Sequence, residues 1–236
     1  MIIKNIARKF IYNHKCNPET YIKHLRKIGC KIGNNTKIYA PTNVIIDEQR
    51  PWLIEIGDNV QITDGVKILT HGYDWSVLKV KYGDVLGSSG KVKIGNNVFI
   101  GMNSIILKGV TICDDVIIGA GSLVNKNISE PGVYAGNPAK FIMPLEEYYN
   151  KRKKQQLKEA TECAIEYYKT YNKIPDKEVF REFFWLFEDG ELIDAYKAVM
   201  ALEGNSKLSY EKYSQRIKEF NTYEEFIEYI KKELGI

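Results

Sequence analysis

Residues 94–128 read IGNNVFIGMNSIILKGVTICDDVIIGAGSLVNKNI, and an aliphatic side chain returns at every sixth place: Ile94, Ile100, Ile106, Ile112, Ile118 and Val124. Four residues after each stands a small or β-branched residue: Val98, Ser104, Val110, Val116, Ser122 and Ile128. Gly95, Gly101 and Gly119 directly follow three of the leading aliphatics. A period of six fits neither the 3.6 of a helix nor the plain alternation of a sheet. It fits short strands separated by turns, stacked into a solenoid.

The same spacing extends toward the N-terminus. Ile56, Ile62 and Ile68 keep it, with Val60 and Val66 at the fifth place. Ile32, Ile38 and Val44 keep it as well, with Thr36 and Thr42. The pairs Asn34-Asn35, Asp58-Asn59, Asn96-Asn97 and Asp114-Asp115 stand where the chain must turn a corner, a conformation that Asn and Asp tolerate. Two stretches break the phase and read as loops: Asp47 to Leu53, and residues 71–91, HGYDWSVLKVKYGDVLGSSGK.

Beyond Pro144 the period disappears. Residues 145–236 hold 17 of the 28 aromatic residues, at helical spacings such as Val179, Phe180, Phe183, Phe184 and Phe187, and predict three to five helices. That stripe reads as core or subunit interface, with a carbohydrate platform as the sharper alternative. Residues 1–28 read as helical, with Pro18-Glu19 opening a second segment, ETYIKHLRKIG. A basic amphipathic start can touch an anionic membrane, or it can cap the open end of the coil. The expected organisation is a helical cap at 1–28, a repeat domain at 29–144 with a protruding loop at 71–91, and a helical extension at 145–236.

The bulk numbers restrict the function. The 236 residues carry 44% hydrophobic and 27% charged residues, which is ordinary for a soluble globular chain. No apolar run approaches the ~20 residues of a membrane span, and Lys4, Arg8 and Lys9 interrupt the opening, so a cytoplasmic location is expected. Cys16, Cys30, Cys113 and Cys163 form no C-x-x-C pair and read as reduced thiols. A net charge of +4 is too mild to imply nucleic acid. Its distribution is uneven, +7 over residues 1–144 and −3 over 145–236, so the repeat suits an anionic ligand. There is no P-loop or dinucleotide fingerprint.

The repeat, with YAGNPAK after it and ILTHGYDW within it, resembles the hexapeptide-repeat acyltransferases, and sugar and polysaccharide O-acetyltransferases in particular. The likeness covers roughly residues 20–144. It implies a mainly β fold, a left-handed parallel β-helix, with the handedness implied by the resemblance alone. It also implies a homotrimer with acetyl-CoA bound between subunits, and a carbohydrate acceptor.

Acyl transfer to an alcohol needs a base, and histidine can take a proton near neutral pH. The family places its histidine where a strand runs into a protruding loop, which carries that role onto His71. A catalytic imidazole also needs a partner to fix its tautomer. Asp74, three residues on, is the nearest carboxylate, ahead of Asp64 and Asp84, and a backbone carbonyl would serve equally. An asparagine that steadies the oxyanion in some members falls here near Ala40, Thr42 and Asn43, of which Asn43 can substitute. On the donor side, Gly101 with Met102 and Gly119 with Ala120 match turns along the pantetheine arm. Asn125 and Lys126 match a position at the adenine-nucleotide end, and Lys140 matches a basic residue near the phosphates.

His14 and His24 read as solvent-facing or capping groups, and Cys113 as structural. No metal is expected, and a carbonic-anhydrase-like β-helix would need three histidine ligands where the coil holds His71 alone. N-acetylation of an amino sugar, acylation of serine or an antibiotic, and a non-enzymatic scaffold are the rival readings.

Overall fold

The computed structural model describes residues 11–188, 190–202 and 204–236. The helical reading of residues 1–10 lies outside them. The chain divides into two compact units, Met1–Tyr148 and Tyr149–Ile236.

In the first unit, short strands fall in rotation into three parallel sheets. The first sheet holds residues 31–32, 54–56, 92–94 and 111–112. The second holds 37–38, 61–62, 99–100, 116–118 and 132–135, extended by the antiparallel strand 140–143. The third holds 45–46, 67–68, 105–106 and 123–124. In the regular stretch, Lys93 pairs with Thr111, Phe99 with Ile117 and Ile105 with Leu123. Three hexads thus return the chain to the same sheet, and every leading aliphatic points inward. Ile38, Ile62, Ile68, Ile100, Ile106 and Ile118 are fully buried in one continuous core.

The corners explain the polar pairs. Asn35, Asn59, Asn97 and Asp115 form a column of left-handed residues with φ of 54–59°. Their partners tie the layers: Asn34 N–H donates to Asp58 Oδ1 (2.5 Å), Asp58 N–H to Asn96 Oδ1 (2.8 Å), and Asn96 N–H to Asp114 Oδ1 (2.7 Å). Glycine beside the corner lets the layers close. A Cβ on Gly95 would stand 2.7 Å from the backbone carbon of Cys113 and 2.3 Å from Asp114 Oδ1.

One register differs from the sequence reading. Ile46, rather than Val44, pairs with Ile68 and so takes the leading place, while Val44 aligns with Val66. Two extra residues in the turn between Ile38 and Ile46 shift the phase, and both Val44 and Ile46 end up buried.

Helix α1 (Pro18–Ile28) starts on Asn17, whose side chain accepts the Thr20 N–H, and stops at Gly29 with φ of 117°. Tyr21 and Leu25 are fully buried in the same core as the first coil. Helix α2 (Trp75–Tyr82) lies inside the long interruption and has no buried residue.

The second unit is helical. The long helix α3 (Leu145–Tyr171) runs into it, followed by α4 (Asp194–Met200), α5 (Ser206–Gln215) and α6 (Tyr223–Leu234). Phe180, Phe184, Phe187 and Phe226 are fully buried around Ala160 and Ala164. These aromatics are core, with Phe187 stacked on Phe226 at 4.9 Å. Residues 177–187, which the spacing assigns to a helix, instead form two short 3-10 turns, Lys177–Phe180 and Phe184–Leu186. Among the described residues, no helix is long and apolar enough to cross a membrane.

Candidate active site

The interruption at 71–91 leaves the third sheet directly after Ile68 and returns into the first at Val92. Its base is a two-residue antiparallel ladder, His71 opposite Ser89 and Gly72 opposite Ser88. Gly90 N–H donates to Thr70 O (2.9 Å) and closes the neck. The return leg passes so near the next turn that a Cβ on Gly90 would stand 2.7 Å from the Gly109 nitrogen. His71 is therefore held on paired backbone at the mouth of the loop rather than at its tip.

Asp47 lies beside it. Ile46 pairs with Ile68, which brings the residue after Ile46 alongside Leu69 and within reach of Thr70 and His71. The Asp47 carboxylate is buried and accepts from Thr70 N–H (3.1 Å), Thr70 Oγ1, Gln49 N–H (3.0 Å) and His71 Nδ1 (2.5 Å). Burial alone would push its pKa up. The hydrogen bonds from Thr70, His71 and the backbone N–H groups outweigh that and hold it below the usual carboxylate value. An ionised carboxylate only accepts, so Nδ1 is the donor in this contact, and the neutral form of the ring then has its lone pair on Nε2. Nε2 has no hydrogen-bond partner among the described residues, and the His71 side chain is 24% exposed. It opens into a recess of about 450 Å³ whose walls include Ile45, Leu69, Tyr73 and Lys15.

Asp74, expected to steady the imidazole, does not meet it. It stands exposed at the N-terminal end of α2, against Gly72, and Asp47 takes the place assigned to it. Asp74 is near in sequence, but the coil brings residues one turn apart side by side. The register Val44/Val66 and Ile46/Ile68 is the signal that points to Asp47. Asn43 is not on the recess wall either. Its Nδ2 donates to Asp64 Oδ1 (2.6 Å) at the neighbouring corner.

The glycine turns do come together. Gly101 N–H donates to Ile118 O (2.8 Å), Gly119 N–H to Tyr134 O (2.8 Å) and Gly121 N–H to Met102 O (2.7 Å), so the two turns are stacked. A Cβ on Gly101 would stand 2.5 Å from Ala120 N, and one on Gly119 would stand 2.9 Å from Ala135 Cβ. Layer stacking by itself demands glycine at both places. Met102 and Ala120 are exposed beside them, as are Asn125 and Lys126 after the strand 123–124. Lys140 is exposed on the antiparallel strand, opposite Ala135. Cys113 is partly buried and packs on the core; burial, with Asp114, Asp115 and Glu130, pushes its thiol pKa up, unlike a nucleophile.

A larger groove of about 760 Å³ lies in the second unit between α3 and α6. Lysines and glutamates such as Lys158, Glu162 and Glu233 line it, with no histidine or cysteine among them.

Residues 91–126 match the repeat pattern described as bacterial transferase hexapeptide (six repeats). Protein CapG of Staphylococcus aureus is 42% identical over 127 residues, covering 54% of this chain and 73% of that protein. The galactoside O-acetyltransferase of Escherichia coli (strain K12) is 34% identical over 144 residues, covering 61% and 67%. Among solved structures, a maltose O-acetyltransferase from Clostridium difficile 630 is 30% identical over 53% of this chain and 75% of that one, with a TM-score of 0.39. The repeat, CapG and the galactoside O-acetyltransferase agree: the chain belongs to the hexapeptide-repeat transferase family, and it is an acyltransferase.

Proposed function

We propose that the chain transfers an acetyl group from acetyl-CoA directly to a sugar hydroxyl, with His71 Nε2 as general base and Asp47 as its positioning residue. The observation that carries this is the His71–Asp47 pair at 2.5 Å, fixed at the neck of the loop where His71 lines an open recess. The acceptor O–H gives its proton to Nε2 as its oxygen attacks the thioester carbonyl carbon. The tetrahedral intermediate then collapses, the C–S bond breaks, and the leaving thiolate takes the proton from the imidazolium. Asp47 remains ionised throughout and stabilises the imidazolium.

The carbohydrate acceptor is supported by the sugar acceptor in the name of the galactoside relative and by a recess that offers both a base and aromatic surface at Tyr73. Gly101, Met102, Gly119 and Ala120 would bed the pantetheine arm, while Asn125, Lys126 and Lys140 would meet the nucleotide end. Lysine suits that end as a point charge for phosphate.

The coil is proposed to be left-handed and the chain to be a cytoplasmic homotrimer with the donor grooves between subunits. The apolar side chains that the first unit leaves exposed, including Ile45, Phe99, Met102, Phe141 and Ile142, support association. Light scattering at micromolar concentration is expected to give three times 27.2 kDa, and a stable monomer refutes the trimer.

The decisive test is acetyl-CoA turnover over a panel of sugars, nucleotide sugars and glycans, with wild type beside His71→Ala. Turnover on a sugar hydroxyl that His71→Ala loses is the expected result. Turnover that survives the substitution, or that appears only on amines, overturns the reading.

A further inference from the structure

Beside the proposed active site, the two remaining histidines converge on one carboxylate. His24 stands on α1, His14 in the short 3-10 turn Asn13–Lys15, and Glu48 in the loop that follows the strand 45–46. His24 Nε2 is 2.9 Å from Glu48 Oε2, and His14 Nε2 is 3.6 Å from the same oxygen. All three ligand atoms lie within 4.8 Å of one another. The other carboxylate oxygen is already engaged, since Tyr21 OH donates to Glu48 Oε1 (3.2 Å) from a fully buried position. The nearby cation is also committed: Lys15 Nζ donates to Val44 O (2.9 Å) and lies over the Tyr21 ring.

A surface histidine beside a glutamate is usually a plain ion pair. Here the two imidazoles are stacked, ring centroids 3.8 Å apart and 15° from parallel, with both Nε2 atoms toward one oxygen. Two imidazoles thus share a single carboxylate oxygen, which makes that carboxylate an incomplete partner for the pair. One divalent cation satisfies all three groups together. We infer that His14, His24 and Glu48 form a binding site for a divalent transition-metal ion of the zinc type.

Two imidazoles and one carboxylate suit zinc in donor type, and leave a fourth position for water. Zinc–nitrogen distances near ~2.0–2.1 Å require the ligand atoms to draw together and the rings to turn so that their lone pairs converge. Tyr21 supplies the outer hydrogen bond that fixes the carboxylate, as such sites need. Glu48 directly follows Asp47 and lines the same recess as His71. A bound ion would thus tie α1 and the preceding turn to the loop that carries the imidazole's partner. It takes no part in the transfer chemistry, and the inference stands whichever acceptor the chain uses.

The test is titration of the chelator-stripped full chain with Zn²⁺ by calorimetry and with Co²⁺ by absorption. One ion per chain is expected, with cobalt d–d bands and no thiolate charge-transfer band. His24→Ala and Glu48→Gln should bind more than about 100-fold more weakly, and Tyr21→Phe about 10–100-fold more weakly. His71→Ala should keep the one-ion stoichiometry. If His24→Ala melts early without metal, His14→Gln, at a side chain about 30% exposed, carries the test instead. Equal uptake by wild type and the ligand variants, no saturable uptake by wild type, or a thiolate band overturns the assignment.

Discussion

The regular coil at 94–128 and the two interruptions at 47–53 and 71–91 are built on the same core, yet they divide the work. In the coil each inward place repeats its neighbour's environment, so Ile94, Ile100, Ile106, Ile112 and Ile118 are almost wholly buried. The interruptions escape that rule. They place Asp47 one turn below His71 and leave Tyr73, Val77 and Val80 exposed. Repetition fixes positions to within a hydrogen bond, and departures from repetition supply the groups that differ from their neighbours. A solenoid can therefore hold a rigid histidine–carboxylate pair at the rim of its core.

The largest effect should come from the interruption. His71→Ala is expected to lower turnover by about 10²–10⁴-fold with donor affinity unchanged, because it removes the proposed base, and to lower the melt modestly, because the buried Asp47 carboxylate loses one of its donors. Asp47→Asn should fall between wild type and His71→Ala, since an amide can hold the wrong tautomer. In the coil the balance should reverse. Ile106→Ala, at a fully buried place between Ile68 and Val124, should cost about 2–5 kcal/mol of stability, read as a lowered denaturant midpoint. If the two substitutions gave the same profile, the division would be wrong.

Much of this was legible in sequence because a six-residue period leaves few alternatives. The inward aliphatics, the Asn and Asp corners and the loop-mouth position of His71 follow from spacing. The partner of His71 did not, because Asp47 and His71 are 24 residues apart and meet only through the register of two strands. The turn after Ile38 hid that register by adding residues, which placed Val44 where Ile46 belongs. The cluster of His14, His24 and Glu48 was hidden for the same reason: its members come from separate segments. The helical unit was less legible still. Its aromatics interlock by shape, and Phe180 and Phe184 reach the core from 3-10 turns, with Phe187 just beyond the second, rather than from a helix.

Acid should affect the interruption in a defined direction. The native pKa of Asp47 is depressed below its unfolded value of about 3.9. Its contribution to stability is therefore complete above about pH 4 and is lost as pH falls through the native value. Asp47→Asn should melt below wild type at neutral pH, and the gap should narrow as the solution is acidified below about pH 4. A gap independent of pH would mean that the carboxylate's charge is not what Thr70 and His71 hold.

The smallest effect is the one that separates nearness in sequence from nearness in space. Asp74 is three residues from His71 and exposed, whereas Asp47 is buried and bonded to Nδ1. Asp74→Asn keeps the side chain's size and its capacity to accept a hydrogen bond at the start of α2, so the loop should keep its shape. Its removed charge faces solvent, where electrostatic effects are screened and worth a few tenths of a kcal/mol. Turnover is therefore expected to stay within about twofold of wild type, with an unchanged pH profile. A defect as deep as that of Asp47→Asn would mean that loop closure on the acceptor replaces one carboxylate with the other. The His71–Asp47 bond at 2.5 Å would then belong to the resting enzyme alone.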